Sequence, residues 1–338
     1  MKKNVIAIAV AFLFVFLLYT TSELLIPLPF GNKPMEFEIK RGTTFRQVVD
    51  SLAQKGLVRD KWIILLLGRI SGIDRKIKAG YYSLWGTMSP LEIFNAIRLG
   101  KIIEYEITIV PGDSLREVGQ KFSLLSAVEG EEFQRLCTSR EFLDSLDVDA
   151  PSLEGYLFPE TYRFPKGLEV KEALSIMVNR LREKFDDDMT LRTMELGLTE
   201  REVLTMASIV EKEAITDKER PIIAGVYYNR LKKHMLLQAD PTAIYGVKSS
   251  KETITKQDLL KKTPYNTYVI KGLPPGPIAS PGLKSIIAAL NPANVPYLYF
   301  VSNNDGTHNF SVTLSNHVEA VKIYRSRKKE RSKDKSSF

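Results

Sequence analysis

The sequence predicts an α+β protein in three parts: a single N-terminal transmembrane helix, a small βααβ module, and a larger mixed α+β domain. Three observations lead there. A charge-free run, Asn4–Ser22, rich in Ala, Val, Ile, Leu and Phe, follows Lys2 and Lys3. A strand-turn-helix pattern occurs twice, as Phe37-Glu-Ile-Lys-Arg-Gly-Thr-Thr-Phe-Arg-Gln-Val48 and as Ile107-Thr-Ile-Val-Pro-Gly-Asp-Ser-Leu-Arg-Glu-Val118. Beyond the second copy, helical periodicity is interrupted by short, separated strand candidates, which favours α+β architecture.

The apolar run, in helical form, rises roughly 28 Å, close to the hydrocarbon thickness of a bilayer. No Ala-x-Ala site follows it, so residues 1–26 read as a cytoplasmic stub and uncleaved anchor; a cleaved signal peptide is the competing reading. The lysines should stay in the cytoplasm and leave the chain after Ile26 outside. Pro27, Pro29, Gly31 and Pro34 mark a linker over 27–35.

The module is expected over 36–103. Each repeat copy runs a strand into a Gly-containing turn, caps a helix with Thr or Ser, and starts that helix with apolar-Arg-x-x-Val. In the first copy, helices Thr44–Gln54 and Lys61–Ser71 precede a return strand, Gly80–Leu84, and a short helix, Pro90–Leu99. The larger domain, 104–324, should hold helices at Thr138–Leu146, Val170–Phe185, Glu200–Ala214, Arg220–Lys232 and Ser280–Leu290. Tyr297–Val301 reads as a buried strand pairing near Phe310–Thr313, and Asp186-Asp-Asp188 as a solvated loop. The last segment, 325–338, reads as a basic disordered tail.

A chain of 338 residues, 44% of them hydrophobic, can form two packed domains beyond an anchor. Its excess of eight positive charges is partly confined to the tail, and no segment resembles a nucleic-acid module, so no nucleic-acid partner is expected. Cys137 is the only cysteine, which precludes an intramolecular disulfide and suggests a buried thiol. His234, His308 and His317 have no metal-ligand spacing, so neither a metal nor another cofactor is expected.

The most telling segment is Glu200–Ala214. Val203, Met206, Ala207, Val210 and Ala214 recur at helical spacing, and Thr199 with Glu202 forms a capping-box start. Helical geometry places Glu213 on the flank of the apolar stripe beside Met206, Ile209 and Val210, while Glu211 leaves the other margin near Leu204. A carboxyl among apolar neighbours is desolvated, which raises its pKa and suits a general acid. The helix alone also allows Glu213 to cap the helix end or pair with an arginine such as Arg220. Loops rich in Gly, Pro, Asn, Gln, Thr and Tyr follow, and neutral donors interleaved with rings suit a sugar-binding cleft.

Met206-Ala-Ser-Ile-Val-Glu-Lys-Glu213, Asn229-Arg-Leu, Leu237-Gln-Ala-Asp-Pro-Thr-Ala-Ile-Tyr-Gly246, Tyr265-Asn-Thr-Tyr268, Gly272-Leu-Pro-Pro-Gly276 and Pro296-Tyr-Leu-Tyr-Phe300 resemble the endolytic murein transglycosylases, the YceG-like family. Leu153-Glu-Gly-Tyr-Leu-Phe-Pro-Glu-Thr-Tyr162 matches the same family's pattern. The resemblance runs from the membrane segment to about Tyr324.

It implies a lyase of the bacterial inner (cytoplasmic) membrane with its catalytic domain outside the cytoplasm. Such an enzyme cuts peptidoglycan glycan strands between N-acetylmuramic acid and N-acetylglucosamine, leaves a 1,6-anhydro product, acts on nascent strands and terminates their elongation. Glu213 matches the family's catalytic glutamate, with Glu211 as secondary candidate. Gln238, Asp240, Asn266, Tyr268, Tyr156 and Glu160 are the candidate substrate-binding residues. The module's strand-helix-helix-strand order resembles LysM modules, which bind N-acetylglucosamine-containing glycans. Peptidoglycan strands and the membrane are the implied partners, with peptidoglycan synthases as further candidates. A hydrolytic muramidase, with Asp240 or Glu160 as second carboxylate, and a non-catalytic glycan-binding scaffold are the alternatives.

Overall fold

The computed structural model describes all residues except 1, 29–32, 74–76, 125–129, 249–251, 253 and 335–338, so Pro29 and Gly31 of the expected linker lie outside the described residues. The chain divides into two units, Met1–Glu106 with Arg163–Leu168, and Ile107–Tyr162 with Glu169–Phe338. Nothing in the sequence patterning signals that Arg163–Leu168 belongs with the first unit.

In the first unit, α1 (Lys2–Leu25) contains a helical stretch, Lys3–Leu25, that is long and apolar enough to cross a membrane. Strand β1 (Met35–Ile39) turns Phe37 and Ile39 inward and pairs antiparallel with β2 (Gly80–Leu84), Met35 opposite Leu84. Between them lie α2 (Phe45–Gln54) and α3 (Lys61–Ser71). Thr44 and Gln47 close a capping box on α2, and Asp60 accepts from the backbone of Trp62 at 2.8 Å to start α3. Gly68 allows these helices to meet, because a Cβ there would stand 2.0 Å from the Phe45 ring. Helix α4 (Pro90–Arg98) starts with a Ser89–Glu92 capping box and closes the core over Leu52, Ile64, Tyr82 and Leu84. The expected βααβ order is present.

Strands β3 (Glu104–Thr108) and β4 (Thr161–Pro165) are hydrogen-bonded neighbours, and the division between the units falls within each of them.

The second unit continues with α5 (Leu115–Leu124), α6 (Gly130–Thr138) and α7 (Arg140–Ser145). The helix expected at Thr138–Leu146 is α7, which starts two residues later because Ser139 is extended and its side chain caps the backbone of Phe142; α6, ending at Thr138, precedes it and was not expected. Next come α8 (Val170–Lys184) and α9 (Asp187–Glu195). The acidic run is not a loop. Asp186 caps Met189 at 2.9 Å, and Asp187 and Asp188 complement the positive end of the helix dipole. Helices α10 (Glu200–Glu213), α11 (Arg220–Lys232), α12 (Asp240–Ile244), α13 (Lys256–Leu260) and α14 (Leu283–Leu290) follow. The unit ends with β5 (Tyr299–Ser302), paired antiparallel to β6 (His308–Ser311), and α15 (Leu314–Asp334). The β5 strand is only half-buried. Residues 325–334 continue α15 where a disordered tail was expected, consistent with a stretch rich in Arg and Lys and free of Gly and Pro.

Helix α10 is the centre of this unit. It packs against α9, α11, α12 and α14, and every residue from Val203 to Val210 is buried. It is thus enclosed on all sides rather than amphipathic. Its polar members are satisfied internally: Thr205 donates to the Arg201 carbonyl at 2.6 Å, Ser208 donates to that of Thr205 at 2.8 Å, and Ser208 accepts from Ile278 N at 3.0 Å.

The Leu153–Tyr156 loop presses on the Gly-Pro-rich loop through Gly155, which has φ +80°, and a Cβ there would stand 2.3 Å from Pro277. Gly155→Ala should therefore cost about 2 kcal/mol or more through left-handed strain and overlap. A thermal melt should show a drop of at least about 4 °C. An unchanged midpoint would mean that the two loops are not held together as described.

Candidate active site

Glu213 is the last residue of α10, where the enclosed helix meets solvent. Its carboxylate accepts from the Tyr227 hydroxyl of α11 at 3.1 Å and from the backbone N–H of Asp240, the first residue of α12. Asp240 accepts in turn from the Tyr268 hydroxyl. Arg230, one turn beyond Tyr227, is buried and donates to the carbonyls of Leu298 and Leu237 at 2.7 Å each, with its guanidinium 5.2 Å from the Tyr299 ring centre.

These surroundings raise the Glu213 pKa from an ordinary 4.5 to about 7. Burial is the largest cause, and the Asp240 charge adds to it. The Tyr227 hydrogen bond, the Arg230 charge and the Asp240 N–H oppose the rise without cancelling it. Although Glu213 keeps partial solvent access, the protein atoms around it remove enough water to disfavour the charged form. The result is a carboxyl that can release and recover a proton near neutral pH.

Glu211 has different surroundings. It pairs with Arg220 at 3.0 Å and accepts from Gly282 N at 2.9 Å. Arg220 also reaches Asp217 at 3.2 Å and the Ser285 hydroxyl at 2.5 Å. The arginine that could have neutralised Glu213 is therefore engaged elsewhere. Among the described residues, no lysine or arginine forms an ion pair with Glu213.

The other sequence-predicted residues divide clearly. Asp240 and Tyr268 stand with Glu213, and Gln238 is exposed beside Asp240 with a left-handed φ of +49°. Asn266 is closed to solvent. It donates to the carbonyls of Leu259 at 3.1 Å and Lys261 at 2.7 Å, and accepts from Tyr268 N at 3.0 Å, so it braces the loop carrying Tyr268. Glu160 is held by Arg180 through contacts of 2.5 and 2.7 Å, which keep its carboxyl below the usual range. Tyr156 is buried near Glu200 and Arg201, at the start of α10. The length of that helix puts this about 20 Å from Glu213.

Sequence reasoning singled out neither Tyr227 nor Arg230. Ile223, Val226, Tyr227 and Arg230 share an inward face at i, i+3, i+4 and i+7, and an arginine on such a stripe was the available signal. It also missed Glu154. That buried carboxylate accepts from Leu115 N at 2.9 and 3.1 Å and from the Tyr245 hydroxyl at 2.9 Å, and burial raises its pKa to about 7. Glu154 lines a cavity of about 850 Å³ with Lys121, Lys212, Pro241 and Tyr245. Glu213 does not line this cavity; its neighbour Lys212 and the Asp240 neighbour Pro241 do.

Carboxyl-resolved NMR titration should give Glu213 a midpoint near 7. Asp240→Asn removes a charge that raises the value and should shift the midpoint down. Tyr227→Phe removes a donor to the carboxylate and should shift it up. Movement in the opposite directions would show that burial and these neighbours are not what set the value.

The YceG-like family model matches residues 37–323. An endolytic murein transglycosylase of Bacillus subtilis (strain 168) is 31% identical over 317 residues, covering 88% of this chain and 86% of its own. One from Streptococcus pneumoniae (strain R6) is 30% identical over 309 residues, covering 81% of this chain and 55% of its own, so the chain spans about half of that relative. The crystal structure of a YceG-like protein from Listeria monocytogenes superposes with a TM-score of 0.60 at 29% identity, covering 86% of this chain and 99% of the other. With the family model spanning nearly the whole chain and the solved relative sharing its fold, the chain belongs to the YceG-like family.

Proposed function

We propose that this chain is a membrane-anchored lytic transglycosylase that cleaves peptidoglycan glycan strands between N-acetylmuramic acid and N-acetylglucosamine. The observation that carries the reading is Glu213: a desolvated carboxyl with a pKa near 7, cradled by a hydroxyl and a backbone N–H. The names of the Bacillus and Streptococcus relatives support the substrate.

Glu213 first protonates the glycosidic oxygen as its bond to the muramic acid anomeric carbon breaks. The resulting carboxylate then takes the proton of the same sugar's 6-hydroxyl as that oxygen attacks the anomeric carbon, closing the 1,6-anhydro ring. One carboxyl suffices because the nucleophile belongs to the substrate and needs only positioning. Asp240 supplies negative charge beside the oxocarbenium-like centre, and Tyr268 and Gln238 orient the glycan. The βααβ module acts as a LysM-like glycan contact. Anchoring by α1 in the bacterial cytoplasmic membrane holds the enzyme where nascent strands emerge beside their synthases, so that cutting terminates elongation. The Asp240 carboxylate also favours a second reading, a hydrolytic muramidase in which it activates water.

Mass spectrometry of products from uncrosslinked strands separates the two: anhydro-muramyl ends support the transglycosylase, and reducing ends the muramidase. Glu213→Gln should lower turnover at least about a hundredfold. At pH 8 its melting temperature should match or exceed that of the parent, because an ionised buried carboxylate has been removed. Glu211→Gln should keep more activity but melt lower, since it leaves Arg220 without its buried partner. Full activity in Glu213→Gln would eliminate the mechanism.

Topology has its own check. Protease added to spheroplasts should digest the chain beyond Ile26, and the mature protein should still begin at the original N-terminus. Protection of that region, or a mature start near Glu23, would contradict the anchor.

A further inference from the structure

Helix α3 is apolar on both sides. Ile64 and Gly68 face the core of the first unit, and Gly68 lies against Phe45, which fixes the inward face. On the opposite face Trp62, Leu66 and Ile70 recur at i, i+4 and i+8 and are 66%, 58% and 75% exposed. Single exposed apolar residues are ordinary, but three large ones on one helical face are not. From Trp62 to Gly68 the helix carries no charge, and a large apolar face turned away from the core belongs against another apolar surface or lipid.

The neighbourhood indicates which. Asp60, the N-cap of α3, accepts from the Tyr19 hydroxyl of α1 at 3.1 Å, and Leu24 of α1 packs on the core of the unit. Tyr19 lies roughly 24 Å along the helix from Lys3, within about a turn of the far edge of a 30 Å hydrocarbon layer. Tyrosine and tryptophan favour this depth. Trp62 follows Asp60 by two residues, so the stripe starts at the interface. Arg59 and Arg69, both exposed, flank it with positive charge.

We propose that Trp62, Leu66 and Ile70 insert into the outer leaflet of the bilayer that α1 spans, with Arg59 and Arg69 meeting anionic lipid headgroups. The proposal rests on the anchor reading above. Lipid contact would hold the βααβ module against the membrane surface, in the manner of an interfacial amphipathic helix.

The full chain contains two tryptophans, so Trp85→Phe leaves Trp62 as the only reporter. This variant is reconstituted into phosphatidylethanolamine–phosphatidylglycerol vesicles with and without acyl-brominated lipid. Trp62 emission should fall at least about twofold with the brominated lipid, as expected for a ring at the acyl boundary, and should resist aqueous iodide. Adding Leu66→Asp with Ile70→Asp should reverse both responses while circular dichroism and resistance to alkaline carbonate stay unchanged. Quenching by iodide but not by bromine would overturn the proposal. Shielding from both quenchers would also overturn it, because a second copy or another protein would then cover the stripe. Extraction by carbonate would instead show that the anchor itself is absent, and the lipid contact would fall with it.

Discussion

The site depends on keeping one carboxyl short of water at the end of a helix that is enclosed along most of its length. Burying Val203–Val210 on all sides fixes the axis and depth of α10, so Glu213 emerges where desolvation rather than charge pairing governs it. A cation on Glu213 would stabilise the carboxylate and remove the transferable proton. The fold avoids this in two ways. Arg220 is held by Glu211, Asp217 and Ser285, and Arg230 directs its donors to the Leu298 and Leu237 carbonyls. Arg230 therefore acts on Glu213 as a nearby field, weaker than the burial it opposes.

The loops after α11 serve mainly to hold Asp240 in place. Thr267 accepts from Ala239 N at 2.9 Å and shares a hydrogen bond of 2.8 Å with Thr242, while Thr267 N donates to the Thr242 hydroxyl at 3.1 Å. This buried cluster joins the start of α12 to the Tyr-Asn-Thr-Tyr loop, so Asp240 and Tyr268 move as one piece. Preorganisation of this kind avoids reorientation when charge develops on a substrate. The strained φ of Gln238 sits at the entrance to the same turn, where strain is tolerated only because the surrounding bonds over-determine the backbone.

Helix boundaries were legible because caps and periodicity are local: Thr199 with Glu202, Thr44 with Gln47, and the limits of α3 and α11 follow from neighbouring residues. Helix geometry put Glu213 beside apolar side chains but left a helix cap or an arginine pair open, and its assignment as the acid came from the family resemblance. Depth was not legible. Asn266 and Thr267 carry the same donors whether they face a ligand or a carbonyl, and only the tertiary fold decides between them. Tyr156 and Glu160 share a family-like motif, yet the chain carries one to the far end of α10 and the other to Arg180. The break between α6 and α7 was local and could have been read from Ser139, as could the start of α9 from Asp186.

Glu154 and Glu213 both have pKa values near 7 in the folded chain, against an ordinary 4.5. Between those values the folded state holds more protons than the unfolded one, so these groups favour folding at low pH and lose that contribution as pH rises toward 7. For Glu213 the lost stability accompanies a useful proton. For Glu154 the compensation is structural: Leu115 N and the Tyr245 hydroxyl reward its carboxylate, and Tyr245 directly follows α12. One buried carboxyl thus fixes the far end of the short helix whose first residue meets the other. A conservative change at Glu154 would then reach Glu213 through α12, although Glu154 need never touch substrate.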